Sequence, residues 1–280
     1  MSYSGAILDV DGTVVRGETL LPGAADGLAA LDSRSIPKLF VSNNPTKAPP
    51  AYAEKLGAAG VEADPEQIIT AGTSTVAYLE REHPGQTVFL VGESGVREQL
   101  TEAGFEVRIG GHEEGDGDAA ASDADVAVVS IDRAFDYETL TRASRTIRAG
   151  DLPIVGTDPD AVIPAPGGDV PGSGAMIAAV SGTAERDPDA VLGKPHPITR
   201  ALALDRLGCA PEDCLVVGDR LDTDIALGAD AGMTTVLVRS GVTDDARLAR
   251  SDVTPDYVVD DLSGIEGLLD GEERDPPRDP

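Results

Sequence analysis

The chain contains no tryptophan, aromatic residues make up only 3% of it, and just four of its 22 basic residues are lysine: Lys38, Lys47, Lys55 and Lys194. No basic cluster can be assembled from so few cations, so a nucleic-acid backbone finds no counter-charge here. No apolar run reaches the length of about 18 residues that a membrane helix needs. The opening "MSYSGAILDV" lacks the basic start and small-residue cleavage site of a secretory leader. Cys209 and Cys214 are too few for a metal site and are expected as free thiols. These absences predict a cytoplasmic protein with neither nucleic acid nor membrane as partner.

Acid is what the chain has in excess. Fifty Asp and Glu face 22 Lys and Arg, a net charge of −28 over 280 residues. The acids are spread along the chain, densest in "HEEGDGDAAASDAD" and in the C-terminal "DGEERDPPRDP". A surface of one sign repels itself in dilute buffer and is screened in concentrated salt. The composition therefore reads as adaptation to a salt-rich cytoplasm.

Short apolar runs alternate with helical patterns, the signature of an α/β protein built on parallel sheet. Strands are expected at residues 6–10, 38–41, 87–91, 106–109, 125–130, 152–156, 214–217, 235–238 and 257–259. Helices are expected at 22–33, after Thr46, and at 72–82, 94–103, 197–207 and 223–231, with a further stripe of Tyr137, Leu140, Ala143 and Ile147. The stretch 157–174 is too rich in Pro and Gly for regular structure and reads as an irregular loop. The pattern that opens the chain breaks off near residue 83 and resumes near 191. This predicts a core of residues 1–82 and 191–270, an inserted α/β unit of 83–190, and a disordered acidic tail of 271–280.

Open parallel sheets bind ligands beyond the carboxyl ends of their strands, and polar clusters stand at those ends. The first strand runs out in Asp9 and Asp11, with Gly12 next; the second runs out in Ser42, Asn43 and Asn44. The strand from Cys214 ends in "GDRLDTD", with Asp219, Asp222 and Asp224, and "GKPHP" supplies Lys194 just before the resumed core. Buried carboxylates are costly unless paired. Three of them with room for water suit Mg²⁺, a hard cation that takes oxygen ligands. A lysine supplies a point charge for phosphate, and Ser and Asn side chains donate to its other oxygens. Gly12 lets backbone approach a ligand closely. Two carboxylates two residues apart allow one to act as nucleophile and the other as acid/base. Asp222 reads as a solvated acid near a helix start.

"DVDGT", "VSNN", "GKPHP" and "GDRLDTDIALGADAGM", in that order, resemble the four motifs of the haloacid dehalogenase superfamily of phosphatases. "FLVGESGVREQLTEAGFEV", "DRAFDYETLTRASRTIRAG" and "PGSGAMIAAV" resemble its NagD-like, 4-nitrophenylphosphatase-type branch, which carries a large α/β cap between the second and third motifs. The likeness covers residues 5–270. It implies a Rossmann-like core with an inserted cap, and a Mg²⁺-dependent phosphatase acting on small phosphate monoesters such as sugar phosphates, phosphoglycolate, glycerol phosphate or nucleotides. By resemblance, Asp9 attacks phosphorus to form an aspartyl-phosphate and Asp11 serves as acid and then base. The metal is held by Asp9, the Asp11 carbonyl and Asp219, with Asp224 in support. Ser42, Lys194 and Asn43, with Gly12 and Asn44 beside them, bind the phosphoryl group. The resemblance also allows a homodimer through the cap.

One departure stands in the cap loop, where the branch reads "TNPD" and this chain reads "TDPD", placing Asp158 toward the expected substrate entrance. The alternative reading is a non-catalytic phosphate- or metabolite-binding protein, or a phospho-aspartate signalling module. A signalling module of that type has a core about half this length and no cap. A protein that had lost catalysis should lack one of the acids, and none is missing.

Overall fold

The computed structural model describes residues 3–110, 123–165 and 167–271. Contacts divide the chain into two units: residues 1–42, 49–69 and 194–280 form the first, residues 43–48 and 70–193 the second. The second unit thus takes in residues 70–82, which the sequence reading assigns to the first. The acidic stretch at 111–122 and the tail from 272 lie outside the described residues. Among the described residues, no helix is long and apolar enough to cross a membrane.

The first unit opens with β1 (Gly5–Asp9), a ribbon of β2 (Val15–Arg16) and β3 (Thr19–Leu20), α1 (Ala24–Ser33), β4 (Lys38–Ser42), α2 (Pro49–Ala58) and β5 (Ile68–Thr70). The second unit follows with α3 (Ala71–Glu82), β6 (Thr87–Val91), α4 (Ser94–Glu102), β7 (Glu106–Ile109) and β8 (Val126–Val129). It continues through α5 (Tyr137–Gly150), β9 (Ile154–Gly156), β10 (Val162–Ile163), β11 (Val170–Pro171), α6 (Ser173–Ala184) and β12 (Ala190–Val191). The first unit then resumes with α7 (Pro197–Leu207), β13 (Cys214–Gly218), a π-helical turn at Leu221–Ile225 and α8 (Ala226–Ala229). It closes with β14 (Thr234–Val238), α9 (Asp245–Leu248), β15 (Tyr257–Val259) and α10 (Ile265–Leu269).

In the first unit the strands order as β15-β14-β13-β1-β4-β5, and β1 pairs in parallel with both β13 and β4. The apolar runs of these strands are continuous because both faces of the sheet are covered. On one face Ala6, Leu8, Phe40, Leu215 and Val217 meet Ala24, Leu28 and Leu31 of α1, Tyr52 and Leu56 of α2, and Ile265 and Leu268 of α10. On the other, Ile7, Leu39, Val41 and Val216 meet Ala203 of α7 and Leu227 of α8. Each fully buried Leu, Ile, Val or Phe in these layers contributes about 1.5–3 kcal/mol. The period-two alternation of the strands thus specifies two cores at once.

The second unit has its own sheet, ordered β12-β9-β8-β6-β7, parallel at each described pairing. Phe89, Val91, Ala127, Val129 and Ile154 pack against Ala143 and Ile147 of α5 and Ile177 and Val180 of α6.

Four expectations are corrected. Tyr137 is 85% exposed, because six residues at 100° each turn it about 120° around α5 from Ala143; Thr139 is buried in its place. The 157–174 stretch contains an antiparallel ribbon, with Val162 opposite Pro171 and Ile163 opposite Val170. The helix expected at 223–231 begins instead with the π-helical turn at Leu221, and α8 spans only four residues. Cys209 and Cys214 are joined in a disulfide rather than left as free thiols. The turn between α7 and β13 brings their Cα atoms to 6.7 Å, close enough to bridge.

Candidate active site

Strand β1 has β4 on one side and β13 on the other, so the order of the sheet reverses at its carboxyl end. Such a switch point opens a crevice between the loops that leave in opposite directions. Asp9 is the last residue of β1, Ser42 the last of β4, and Asp219 directly follows β13. Three elements far apart in sequence therefore end side by side.

Asp9 is buried, and its Oδ1 accepts from Lys194 Nζ at 2.6 Å. Lys194, 3% exposed, also donates to the Val41 carbonyl at 3.0 Å and lies 2.7 Å from Asp224 Oδ1. Asp224 Oδ2 accepts from the backbone N–H groups of Asp219 (3.1 Å) and Arg220 (3.0 Å). Asp219 Oδ2 accepts from Val242 N at 2.8 Å, and its carbonyl accepts from Thr243 Oγ1 at 2.6 Å. Carboxylate oxygens of Asp9, Asp219 and Asp224 all lie within 4.8 Å of one another, and all three residues are buried. Asp222, by contrast, is exposed, as its reading as a solvated acid requires.

Burial and like charge set the electrostatics. Burial pushes the Asp9 carboxyl well above its ordinary range, Lys194 opposes the shift, and Asp224 and Asp219 add to it. Asp219 is pushed up to about 7, first by burial and then by Asp224. For Lys194 burial alone would favour the neutral amine, but Asp224 and Asp9 outweigh it and hold the ammonium charged. Three carboxylates around one ammonium leave two negative charges uncompensated when all are ionised. Asp9 Oδ2 is buried with no hydrogen-bond partner, an arrangement that costs free energy unless a cation or donor meets it.

Gly12 and Gly241 make room for this cluster. A Cβ at Gly12 would fall 2.4 Å from Asp219 Oδ2, and one at Gly241 1.8 Å from the same atom. Gly12 also has φ +107°, a left-handed conformation that side chains disfavour. Its carbonyl is held by Ser240 Oγ at 3.0 Å.

Asp11 points to a different set of partners. Its Oδ2 accepts from the Tyr52 hydroxyl at 3.0 Å and its Oδ1 from Lys55 Nζ at 2.5 Å. The same Tyr52 hydroxyl is 2.8 Å from Ser42 Oγ. Burial, then the nearby Asp11, raises the Tyr52 phenol well above its usual value, so it remains a donor. Sequence reasoning missed Tyr52 and Lys55. The available signal was their spacing of three on a helix, which puts both on one face, together with the scarcity of lysine.

Asn43, Asn44 and Asp158 belong to the second unit. Asn44 uses its side-chain oxygen on Thr46 N, Thr46 Oγ1 and Lys47 N, closing the turn that leads toward α2. Asn43 Nδ2 donates to Asp160 Oδ1 at 3.5 Å. A Cβ at Gly193 would lie 2.7 Å from Asn43 Oδ1, so glycine is needed there too. Asp158 is 2% exposed, accepts from Thr157 Oγ1 and the Asp160 N–H, and is pushed up to about 7 by burial, then by Asp160. His196 caps α7, its Nδ1 accepting from Ile198 N.

Residues 6–106 match the family described as haloacid dehalogenase-like hydrolase, and residues 191–265 match a second, HAD-hydrolase-like family. The chain belongs to the haloacid dehalogenase-like hydrolases. It is 33% identical over 261 residues to an acid sugar phosphatase of Staphylococcus epidermidis, covering 93% of this chain and 96% of the relative. A Staphylococcus haemolyticus acid sugar phosphatase is 35% identical over 262 residues, 94% of this chain and 95% of the relative. Among solved structures, p-nitrophenyl phosphatase from Archaeoglobus fulgidus superposes with a TM-score of 0.86 at 34% identity, covering 96% of this chain and all of the other. NagD from Escherichia coli K-12 superposes with a TM-score of 0.80 at 26% identity, covering 94% and 98%. As in these NagD-type relatives, the haloacid dehalogenase-like fold here is α/β with parallel sheets.

Proposed function

We propose that the protein is a Mg²⁺-dependent phosphatase of small phosphate monoesters, with phosphorylated sugars the favoured class. The observation that carries the reading is Asp9: a buried carboxylate at the switch point, with one oxygen on Lys194 and the other unpartnered, inside a cluster of three acids. The names of the relatives, acid sugar phosphatase and p-nitrophenyl phosphatase, support the substrate class.

The donor set fits a hard divalent cation. Oxygen ligands are available from Asp9 and Asp219 in a cluster with Asp224, the resemblance adds the Asp11 carbonyl, and the excess of two negative charges matches a dication. Asp224 supports them indirectly, since one of its oxygens holds the Asp219 and Arg220 N–H groups and the other meets Lys194. When bound, the ion neutralises charge on the phosphoryl oxygens and keeps Asp9 ionised.

Asp9 then forms a bond to phosphorus as the bond to the leaving oxygen breaks, and Asp11 gives its proton to that oxygen. In the second step Asp11 takes a proton from water, the water oxygen bonds to phosphorus, and the bond to Asp9 breaks, releasing phosphate. Lys194 and Ser42 hold the phosphoryl oxygens throughout, so positioning and neutralisation carry most of the barrier reduction. Within this reading the enzyme works in concentrated salt, which the net charge of −28 supports; a cytoplasmic setting, expected in part from free thiols, loses that support to the Cys209–Cys214 disulfide.

The test is hydrolysis of p-nitrophenyl phosphate and a panel of sugar phosphates in about molar KCl, where surface charge is screened, with Mg²⁺ or EDTA. Mg²⁺-dependent turnover that falls as KCl is diluted is the expected result. A folded protein that turns over none of these substrates would end the phosphatase reading, and full activity in dilute buffer would end the salt reading.

A further inference from the structure

The face of α2 that meets Asp11 carries a hydroxyl that packing does not require. Tyr52 is completely buried in the apolar core beside Leu56, Phe40 and Val10, where a phenylalanine ring would fill the same space. Its hydroxyl instead reaches Asp11 Oδ2 at 3.0 Å and Ser42 Oγ at 2.8 Å. Lys55, three residues on, donates to the other Asp11 oxygen at 2.5 Å, with its ammonium 5.0 Å from the Tyr52 ring centroid. Both oxygens of Asp11 are therefore held from one helix.

We propose that Tyr52 is a positioning residue for Asp11, with Lys55 completing the clamp. The proposal rests on the reading of Asp11 as acid/base. The Asp11 side chain is 46% exposed on the loop after β1, where packing alone leaves its rotamer open. A proton donor acts only within hydrogen-bond reach of the leaving oxygen, and a displacement of about 1 Å can cost on the order of a hundredfold. To carry the proton, Asp11 must free one oxygen from its donor; with Lys55 released from Oδ1, the bond from Tyr52 to Oδ2 keeps the carboxyl in place, and by touching Ser42 it ties the acid/base group and a phosphate-holding hydroxyl to one frame. Asp11 follows β1 and Ser42 ends β4, so neither sets the other's position through the chain.

The experiment compares kcat/KM for phenyl phosphate and p-nitrophenyl phosphate, two esters of similar shape. Phenolate is much the poorer leaving group, so its departure depends on the proton from Asp11, whereas nitrophenolate leaves without one. Tyr52→Phe is expected to lower kcat/KM for phenyl phosphate about 10–100-fold and for p-nitrophenyl phosphate less than about threefold. Lys55→Gln should show the same bias, more weakly, and Asp11→Asn the same bias more strongly. Melting temperatures of all three variants check that the fold is kept. Equal losses on both esters, or no loss on either, in Tyr52→Phe while Asp11→Asn is biased would overturn the positioning role and leave the phosphatase reading standing. No bias in Asp11→Asn, or no turnover by the wild type, would remove the acid/base reading and the proposal with it.

Discussion

Two parallel sheets, one in each unit, end their strands in different polar chemistry. The sheet of the first unit ends in Asp9, Ser42 and Asp219, with Asp224 and Lys194 among them. The sheet of the second ends in Ser130 and Thr157, joined by Ser173 and Asp158: Thr157 Oγ1 bonds Ser130 Oγ at 2.9 Å, Asp158 at 3.1 Å and Ser173 Oγ at 3.3 Å. Each site holds a carboxyl pushed up to about 7, Asp219 in one and Asp158 in the other, and burial is the leading cause in both. The remedies differ. Asp219 lies among like charges that one lysine does not balance, an excess that the dication of the proposed function would relieve. Among the described residues Asp158 has a single carboxylate neighbour, Asp160, and accepts from the Thr157 hydroxyl, so taking up one proton relieves it locally. Buried acid alone does not distinguish these two sites; the number of carboxylates that converge does.

The sharpest way to test that contrast is to neutralise one acid at a time. Asp9→Asn should lower turnover of p-nitrophenyl phosphate at least about a thousandfold while the protein stays folded, because the proposed nucleophile is lost. Residual activity near the wild-type level would remove Asp9 from the chemistry. In the second unit the effect should fall on stability and depend on pH. The native Asp158 carboxyl has a raised pKa, so its contribution is fully present below the unfolded value near 4 and is lost as pH rises through about 7. The loss amounts to at most about 4 kcal/mol. With Mg²⁺ present, Asp158→Asn should therefore melt higher than the wild type at pH 8, and the gap should close toward pH 4. Unchanged pH dependence in the variant would assign the titration elsewhere.

A third measurement asks whether the acid cluster of the first unit takes metal. Mg²⁺ at about a hundred times its dissociation constant should add about 2.7 kcal/mol of stability, read as a rise in melting temperature reversed by EDTA. Asp219→Asn should abolish the rise and Asp158→Asn should preserve it; the opposite pattern would invert the comparison. The smallest expected change is at Gly12. Gly12→Ala forces a Cβ against Asp219 Oδ2 at positive φ, a strain on the order of 2 kcal/mol. It should lower the melting temperature and weaken the Mg²⁺ shift together. An alanine variant with both intact would show that the loop relaxes without moving Asp219.

Much of this was legible in one dimension. The apolar run of Ala6–Leu8 and the paired acids after it mark a buried strand with a costly end, since few arrangements place two carboxylates beside such a strand without a ligand. Order along the chain was enough to draw Ser42, Lys194 and Asp219 toward the same edge, because parallel strands send all their carboxyl ends one way. Periodicity erred where local geometry decides. Tyr137 follows the cap of α5 and rotates off the buried stripe, and the ribbon at residues 162–171 is made by backbone pairing in a segment whose composition argues against strands.

Residue types and motif order by themselves determined the α/β class, the family and the main acids, because they depend on local pattern and on the direction of parallel strands. Tertiary structure alone decided that Asp224 braces Asp219 and Lys194, and that α2 brings Tyr52 and Lys55 to Asp11. It also decided that Cys209 and Cys214 pair. These are contacts between side chains whose meeting depends on distances of a few ångströms set by packing, and no one-dimensional period encodes them.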